Sequence, residues 1–292
     1  MSEMQALDKI QKIDINSSEY PYRLKNIPDP PEQLYCLGDI SLLDTAPVAV
    51  VGSRKYTVYG KNVAKMIGRR LGECGITVVS GFAYGIDAFA HEGALDGGGR
   101  VIGVIASGIR KMGPKGNLPL MKRAVDNGGL IVTEYEPDMN AQPFMYPRRN
   151  RIISGISDSV VVVEANFNSG ALITAQHANE QGRPVYAVPG NINSQFSAGS
   201  NLLIRDGAYP LVVIDDIIRD LGIDPKEAAE EDTKLGKDEM EILREVRKCD
   251  GISPNRLAEA TGRTVALVNS VVTIMEIKGV VETCGGKIYL AK

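Results

Sequence analysis

The sequence predicts an α/β fold: an extended Rossmann-like, doubly wound and mainly parallel sheet, followed by a small C-terminal winged-helix domain. Three observations carry this expectation. Short runs rich in Val and Ile alternate with amphipathic stretches from Val48 onward. Those runs are apolar at every position, so both faces of each strand must be covered, as in a parallel sheet wrapped by helices. Near the end of the chain the pattern changes to capped helices and a hairpin.

Residues 1–45 read as an approach segment that packs on the main domain. The segment is rich in Pro and polar residues (Tyr20-Pro21, Pro28-Asp29-Pro30-Pro31), with no sustained period beyond a short strand near Leu34–Leu37. The main domain is expected over 46–222. Its strand candidates are Val48–Val51, Thr77–Val79, Val101–Ile105, Leu130–Thr133, Val160–Glu164, Val185–Val188 and Leu211–Ile214. Lys61–Cys74, Asp87–Leu95, Pro119–Asn127 and Ala171–Gln181 carry apolar residues at three- and four-residue steps and read as helices. Residues 223–236 include the acidic run Asp224-Pro225-Lys226-Glu227-Ala228-Ala229-Glu230-Glu231-Asp232, which has no apolar face and reads as a linker. In 237–292, Glu239–Val246 reads as one helix. Ser253 caps and Pro254 opens a second, which Gly262 stops; Thr264–Lys278 is a third, ended by Gly279. Val280–Thr283 and Lys287–Leu290 flank Cys284-Gly285-Gly286 as a hairpin.

With 43% hydrophobic and 24% charged residues among 292, the composition is that of an ordinary globular protein. A formal charge of -3 excludes nucleic-acid binding through bulk charge, so any such binding must use a local patch. No apolar run approaches the roughly 18 residues of a spanning helix, and the start lacks signal-peptide regions, so a cytoplasmic protein with no membrane partner is expected. Cys36, Cys74, Cys249 and Cys284 are scattered and read as reduced core thiols. His91 and His177 sit in helical stretches without ligating neighbours; neither a metal nor a cofactor is expected.

Ligands of a doubly wound sheet sit beyond the carboxyl ends of the strands, so the turns there matter most. Gly52-Ser53-Arg54-Lys55 reads as a phosphate cradle, with glycine for close approach, helix N–H donors and a guanidinium fork. Ser80-Gly81-Phe82-Ala83-Tyr84-Gly85-Ile86-Asp87 reads as a second tight turn, with Asp87 as a helix cap. Asn168-Ser169-Gly170 and Pro189-Gly190-Asn191 are two more small-residue turns on the same edge. Tyr146-Pro147-Arg148-Arg149-Asn150-Arg151 sets three guanidiniums beside an aromatic ring, and so offers groups suited to phosphates and to a nucleobase. Glu164 is the best lone acid for catalysis. No nucleophile elbow, Walker loop or zinc-binding His-Glu pair is present, and no catalytic residue is expected.

These residues resemble the DNA-processing protein A family, also called Smf. The resemblance rests on Val50-Val51-Gly52-Ser53-Arg54, Ser80-Gly81-x-Ala83-x-Gly85-Ile86-Asp87, Pro147-x-Arg149-Asn150-Arg151-Ile152-Ile153-Ser154-Gly155, Ser169-Gly170-x-Leu172-Ile173-Thr174-Ala175, and Pro189-Gly190 with Gly199-Ser200-Asn201-x-Leu203-Ile204. It implies sequence-independent binding of single-stranded DNA, loading of RecA recombinase during natural transformation and recombination, a homodimer and no catalytic activity. By motif position it places Gly52, Ser53, Arg54, Ser80, Gly81 and Gly85 on phosphates, flanked by Arg148, Arg149, Asn150 and Arg151; Asn150 and Arg151 could instead brace the turn. Tyr146-Pro147 stands where the family usually has Phe-Pro. Ile109-Arg110-Lys111-Met112-Gly113-Pro114 replaces its usual Asp and Tyr-Pro, which adds two cations near the groove. About 18 residues precede the stretch that the resemblance covers, so the N-terminal helical domain of many members is expected to be missing.

The alternative is an enzyme similar to the Lonely-guy nucleotide phosphoribohydrolases, but the Glu that follows their glycine run has no counterpart at Ala175-Gln176-His177. A third reading makes the winged helix a duplex reader. From Lys237 onward nine Lys or Arg face eight Asp or Glu, and Val265-Ala266-Leu267-Val268 opens an apolar third helix, so protein contact is favoured over DNA contact there.

Overall fold

Period-two side-chain alternation on apolar strands builds two separate cores, one on each face of a nine-stranded sheet. A computed structural model describes residues 10–225, 237–246, 249 and 251–290. They belong to two compact units divided between residues 229 and 230. Residues 226–236 of the expected acidic linker, and residues 1–9 of the approach segment, lie outside the described residues.

In the first unit the strands are β1 (Gln11–Asp14), β2 (Gln33–Gly38), β3 (Val48–Val51), β4 (Val78–Ser80), β5 (Val101–Val104), β6 (Leu130–Thr133), β7 (Ser159–Val162), β8 (Val185–Ala187) and β9 (Tyr209–Pro210). Across the sheet they run β1-β2-β6-β5-β4-β3-β7-β8-β9. Every pairing from β6 to β9 is parallel. The fold is therefore Rossmann-like and doubly wound. Helices α1 (Tyr22–Lys25), α2 (Val58–Glu73), α3 (Ile86–Asp96), α4 (Leu118–Asp126), α5 (Met145–Ile156), α6 (Gly170–Glu180), α7 (Ala198–Arg205) and α8 (Asp215–Asp220) cover it. Val48 and Val50 pack with Ile67 and Leu71 of α2 and Ala90 and Ala94 of α3 on one face. Ala49 and Val51 pack with Ile152, Ile153 and Ile156 of α5 and Ala171, Ala175 and Ala178 of α6 on the other.

Three parts differ from the sequence reading. The approach segment does more than pack on the domain: β1 and β2 extend the sheet in antiparallel register, Ile13 opposite Leu34 and Tyr35 opposite Thr133. Leu211–Ile214 is not a strand. Its ladder stops at the bond from Leu211 N–H to Ala187 O, after which Val212 and Val213 are exposed and α8 begins. The arginine-rich segment is no turn but helix α5, with Arg149, Asn150 and Arg151 buried in it.

The second unit has helices α9 (Lys237–Val246), α10 (Pro254–Thr261) and α11 (Val265–Ile277), then the hairpin β10 (Val281–Cys284) and β11 (Lys287–Leu290). Ser253 and Thr264 cap their helices with side-chain oxygens, and Gly262 ends α10 in the left-handed region at φ 66°. Ile242, Leu257, Val268, Met275 and Ile288 fill its core. Only Cys36 and Cys74 are core thiols; Cys249 and Cys284 are exposed.

Candidate functional site

The chain order places a topological switch point between β3 and β7. From β3 the chain winds outward through β4, β5 and β6, then returns to lay β7 against the other side of β3. Turns beyond these two strands diverge and leave a crevice. A cleft of about 300 Å³ opens there. Gly52, Ser53, Arg54 and Lys55 line it from the end of β3, Asn166, Asn168, Ser169 and Gly170 from the end of β7, and Tyr146, Arg149 and Asn150 from α5.

Each wall is held by its own bonds. The Ser53 N–H donates to Glu164 O, and the Ser53 hydroxyl accepts from the Lys55 N–H, which fixes the turn and leaves Arg54 exposed. Gly85, at φ 87°, lets the neighbouring turn lie on this one, since a Cβ there would stand 2.5 Å from Ser53 O. Ser169 caps α6 through its hydroxyl and aims that helix's N-terminus at the cleft. Asn150 ties α5 to α6 with a 3.1 Å bond from Nδ2 to Gly170 O. The Arg54 guanidinium carbon sits 5.1 Å from the centroid of the Tyr146 ring, which is 39% exposed. Among the described residues neither Arg54 nor Lys55 makes an ion pair. Two unpaired cations, a ring and a helix N-terminus therefore share one concavity. Such a set matches a phosphate chain carrying bases.

Arg149 differs in kind. It is 4% exposed, and its guanidinium donates to Gly81 O at 3.0 Å, to Val104 O and, through Nε, to Asn150 Oδ1. Burial pulls its pKa down to about 10 against the opposing attraction of Asp87. Asp87 in turn is pushed up by burial and held by Arg149 and by the Gly81 N–H, whose bond is 3.1 Å. Arg149 and Asp87 brace the floor of the cleft. A Cβ on Gly81 would meet the Arg149 guanidinium at 2.4 Å, so glycine is needed there for packing.

The cleft thus gathers nine of the expected residues: Gly52, Ser53, Arg54, Lys55, Tyr146, Arg149, Asn150, Ser169 and Gly170. It leaves out five. Ser80 is buried and donates to Val50 O, Gly81 is a packing position, and Gly85 serves the turn contact. Arg148 is exposed outside the lining, 3.7 Å from Glu134. Arg151 is consumed by a bidentate pair with Glu134, both bonds 2.8 Å, and by bonds to Asp29 O and Arg148 O. It braces the approach segment.

Three further readings change. Asp87 bonds across the turn and makes no side-chain cap to its helix. Glu164 accepts from Thr57 N at 2.9 Å and Thr57 Oγ1 at 2.5 Å, so it anchors the start of α2. Pro189-Gly190-Asn191 does not line the cleft; Gly190 instead exchanges two bonds with Asn201. Of the two added loop cations, Arg110 is paired with Asp138 at 2.8 Å. Asn166 lines the cleft without having been singled out, and no local pattern marks it; Thr174, which lies in the Ser169–Ala175 motif but was not expected at the site, lines it too. Among the described residues no three metal-ligating side chains come together, and no helix is long and apolar enough to cross a membrane.

Comparison with known proteins decides the family. The profile described as DNA recombination-mediator protein A matches residues 11–222. The chain belongs to the DNA recombination-mediator protein A family. It is 40% identical to the DNA processing protein DprA of Bacillus subtilis, over 73% of this chain and 71% of that protein. Protein Smf of Escherichia coli is 38% identical over 72% of this chain but 56% of its own length. Among solved structures, DprA from Streptococcus pneumoniae is similar with a TM-score of 0.68 and 37% identity, covering 74% of this chain and 76% of that one. DNA processing protein A from Helicobacter pylori, described for its single-stranded DNA binding mode, is similar with a TM-score of 0.66 and 31% identity, covering 73% and 95%. The stretch shared by the family is thus the sheet domain that carries the cleft.

Proposed function

We propose that this recombination-mediator family member binds single-stranded DNA in the switch-point cleft without sequence preference. The observation that carries the reading is the Arg54–Tyr146 pair at the mouth of a cleft also lined by Lys55 and the α6 N-terminus. Arg54 and Lys55 neutralise phosphates, while the Tyr146 face accepts any base, since every base has a π-face. The single-stranded DNA binding of the Helicobacter pylori relative agrees with this assignment.

In this reading the chain works without turnover: Glu164, the one acid suited to catalysis, is occupied at the start of α2. The wider role is that of a cytoplasmic homodimer that receives incoming DNA in natural transformation and loads RecA recombinase onto it; the family's description as recombination mediators supports it. The second unit, three helices and a hairpin, serves as a winged helix for protein contact, since α11 exposes Val265, Leu267, Ile274 and Ile277.

Arg54→Glu tests the site. Arg54 is exposed and unpaired, so the variant keeps the wild-type melting temperature while gel-shift binding to oligo-dT is lost. Unchanged binding refutes the cleft.

A further inference from the structure

The turn between β4 and α3 carries an aromatic ring that the site as described does not use. Phe82 adopts a left-handed backbone (φ 50°) with its ring fully buried, so close to the sheet that a Cβ on Gly103 would stand 1.8 Å from it. This turns the next two residues to the surface. Ala83 lines the cleft, and Tyr84 is 51% exposed.

The ring of Tyr84 is not left to rotate in solvent. The Gly116 N–H donates to its hydroxyl at 3.3 Å, and the Asn117 amide donates to Phe82 O at 2.9 Å and Ala83 O at 3.2 Å. The loop after β5 is thereby tied to the turn and holds the phenol at its far end, while Gly85 holds the near end against the Arg54 backbone. An exposed aromatic face restrained at both ends loses little rotamer freedom on binding, which is what a stacking platform needs. On one side of Tyr84, Ala83 lines the cleft, and on the other Gly85 packs on the backbone of Arg54, the residue whose guanidinium contacts Tyr146.

We propose that Tyr84 is a second base-stacking residue, so that the strand leaves the cleft across the Ala83–Gly85 turn and places a base on the Tyr84 ring. The inference rests on the cleft's being a single-strand site. It assigns the ring, not the hydroxyl, as the contact, because the hydroxyl is engaged by Gly116.

The test uses the full chain and two oligonucleotides of equal length, oligo-dT and an abasic strand with the same phosphates. Tyr84→Ala should weaken oligo-dT binding roughly five- to hundredfold and leave abasic binding unchanged. Tyr84→Phe keeps the face and should bind oligo-dT within about twofold of wild type. Wild-type affinity of Tyr84→Ala for oligo-dT overturns the proposal. So does an equal loss on the abasic strand, or an equal loss in Tyr84→Phe, since either makes Tyr84 a loop anchor. Arg54→Glu run alongside separates the two levels. If it binds normally, the cleft itself is wrong; if it fails while Tyr84→Ala binds normally, only the second platform is.

Discussion

At the scale of single residues, two arginines adjacent in sequence have opposite roles. Arg148 is about half exposed and outside the cleft lining, whereas Arg149 is buried and bonded to three oxygens. Arg148→Ala should change stability by less than about 0.5 kcal/mol. Arg149→Met strands Asp87 in the interior and should cost roughly 3–5 kcal/mol, read as a fall in the urea midpoint. If both variants unfold at the same midpoint, the assignment of Arg149 as a brace fails. His91 gives a pH test. Burial pulls it from 6.5 down to about 3, with both ring nitrogens buried and without a hydrogen-bond partner. The unfolded chain then takes up a proton that the folded chain refuses, so stability is present above pH 6.5 and is lost as pH falls toward about 3. His91→Phe should flatten that part of the stability–pH curve, and an unaltered curve would show that His91 plays no part in it. The motif residues Gly52, Arg54 and Tyr146 were legible because their chemistry shows locally. The buried state of Arg149 and Arg151 was not, since their partners Gly81 and Asp29 lie 68 and 122 residues away.

At the scale of elements, α5 is the least legible part of the fold. Its apolar side, Met145, Ile152, Ile153 and Ile156, is interrupted by Pro147 and three arginines, so no clean period appears. Tertiary partners, Glu134 and Asp29 for Arg151 and the carbonyls of Gly81 and Val104 for Arg149, make burial of those two charges possible. The apolar strands β3, β5 and β6 were plain for the opposite reason: every position is buried, so no partner had to be known. The helix α2 shows how a strand end fixes a helix start. Glu164, just beyond β7, holds Thr57, and Gly60 makes room for it, because a Cβ there would lie 2.1 Å from Glu164 Oε2. Glu164→Ala should lower stability by about 1–3 kcal/mol through the orphaned Thr57 groups, with oligo-dT binding retained at low temperature. Loss of binding in a variant that melts like wild type would move Glu164 into the site.

At the scale of the molecule, the first unit has both cores of the sheet and the whole cleft, while the second has a core of its own. A chain ending at Ala229 should therefore fold by itself and bind oligo-dT with the salt dependence of the full chain; a markedly shallower dependence would assign phosphate contacts to the second unit. Doubly wound topology was readable from the alternation of elements, but the order of strands was not, and with it the antiparallel edge made by β1 and β2. That order sets the switch point, and the switch point sets where Arg54, Tyr146 and the α6 N-terminus meet. The measurement that bears most directly on this is a titration of the full chain with oligo-dT and with duplex of equal length over a range of salt. The cleft predicts tighter binding to oligo-dT, with affinity falling steeply and log-linearly as salt rises. Equal or tighter binding to duplex, or an affinity indifferent to salt, would contradict it.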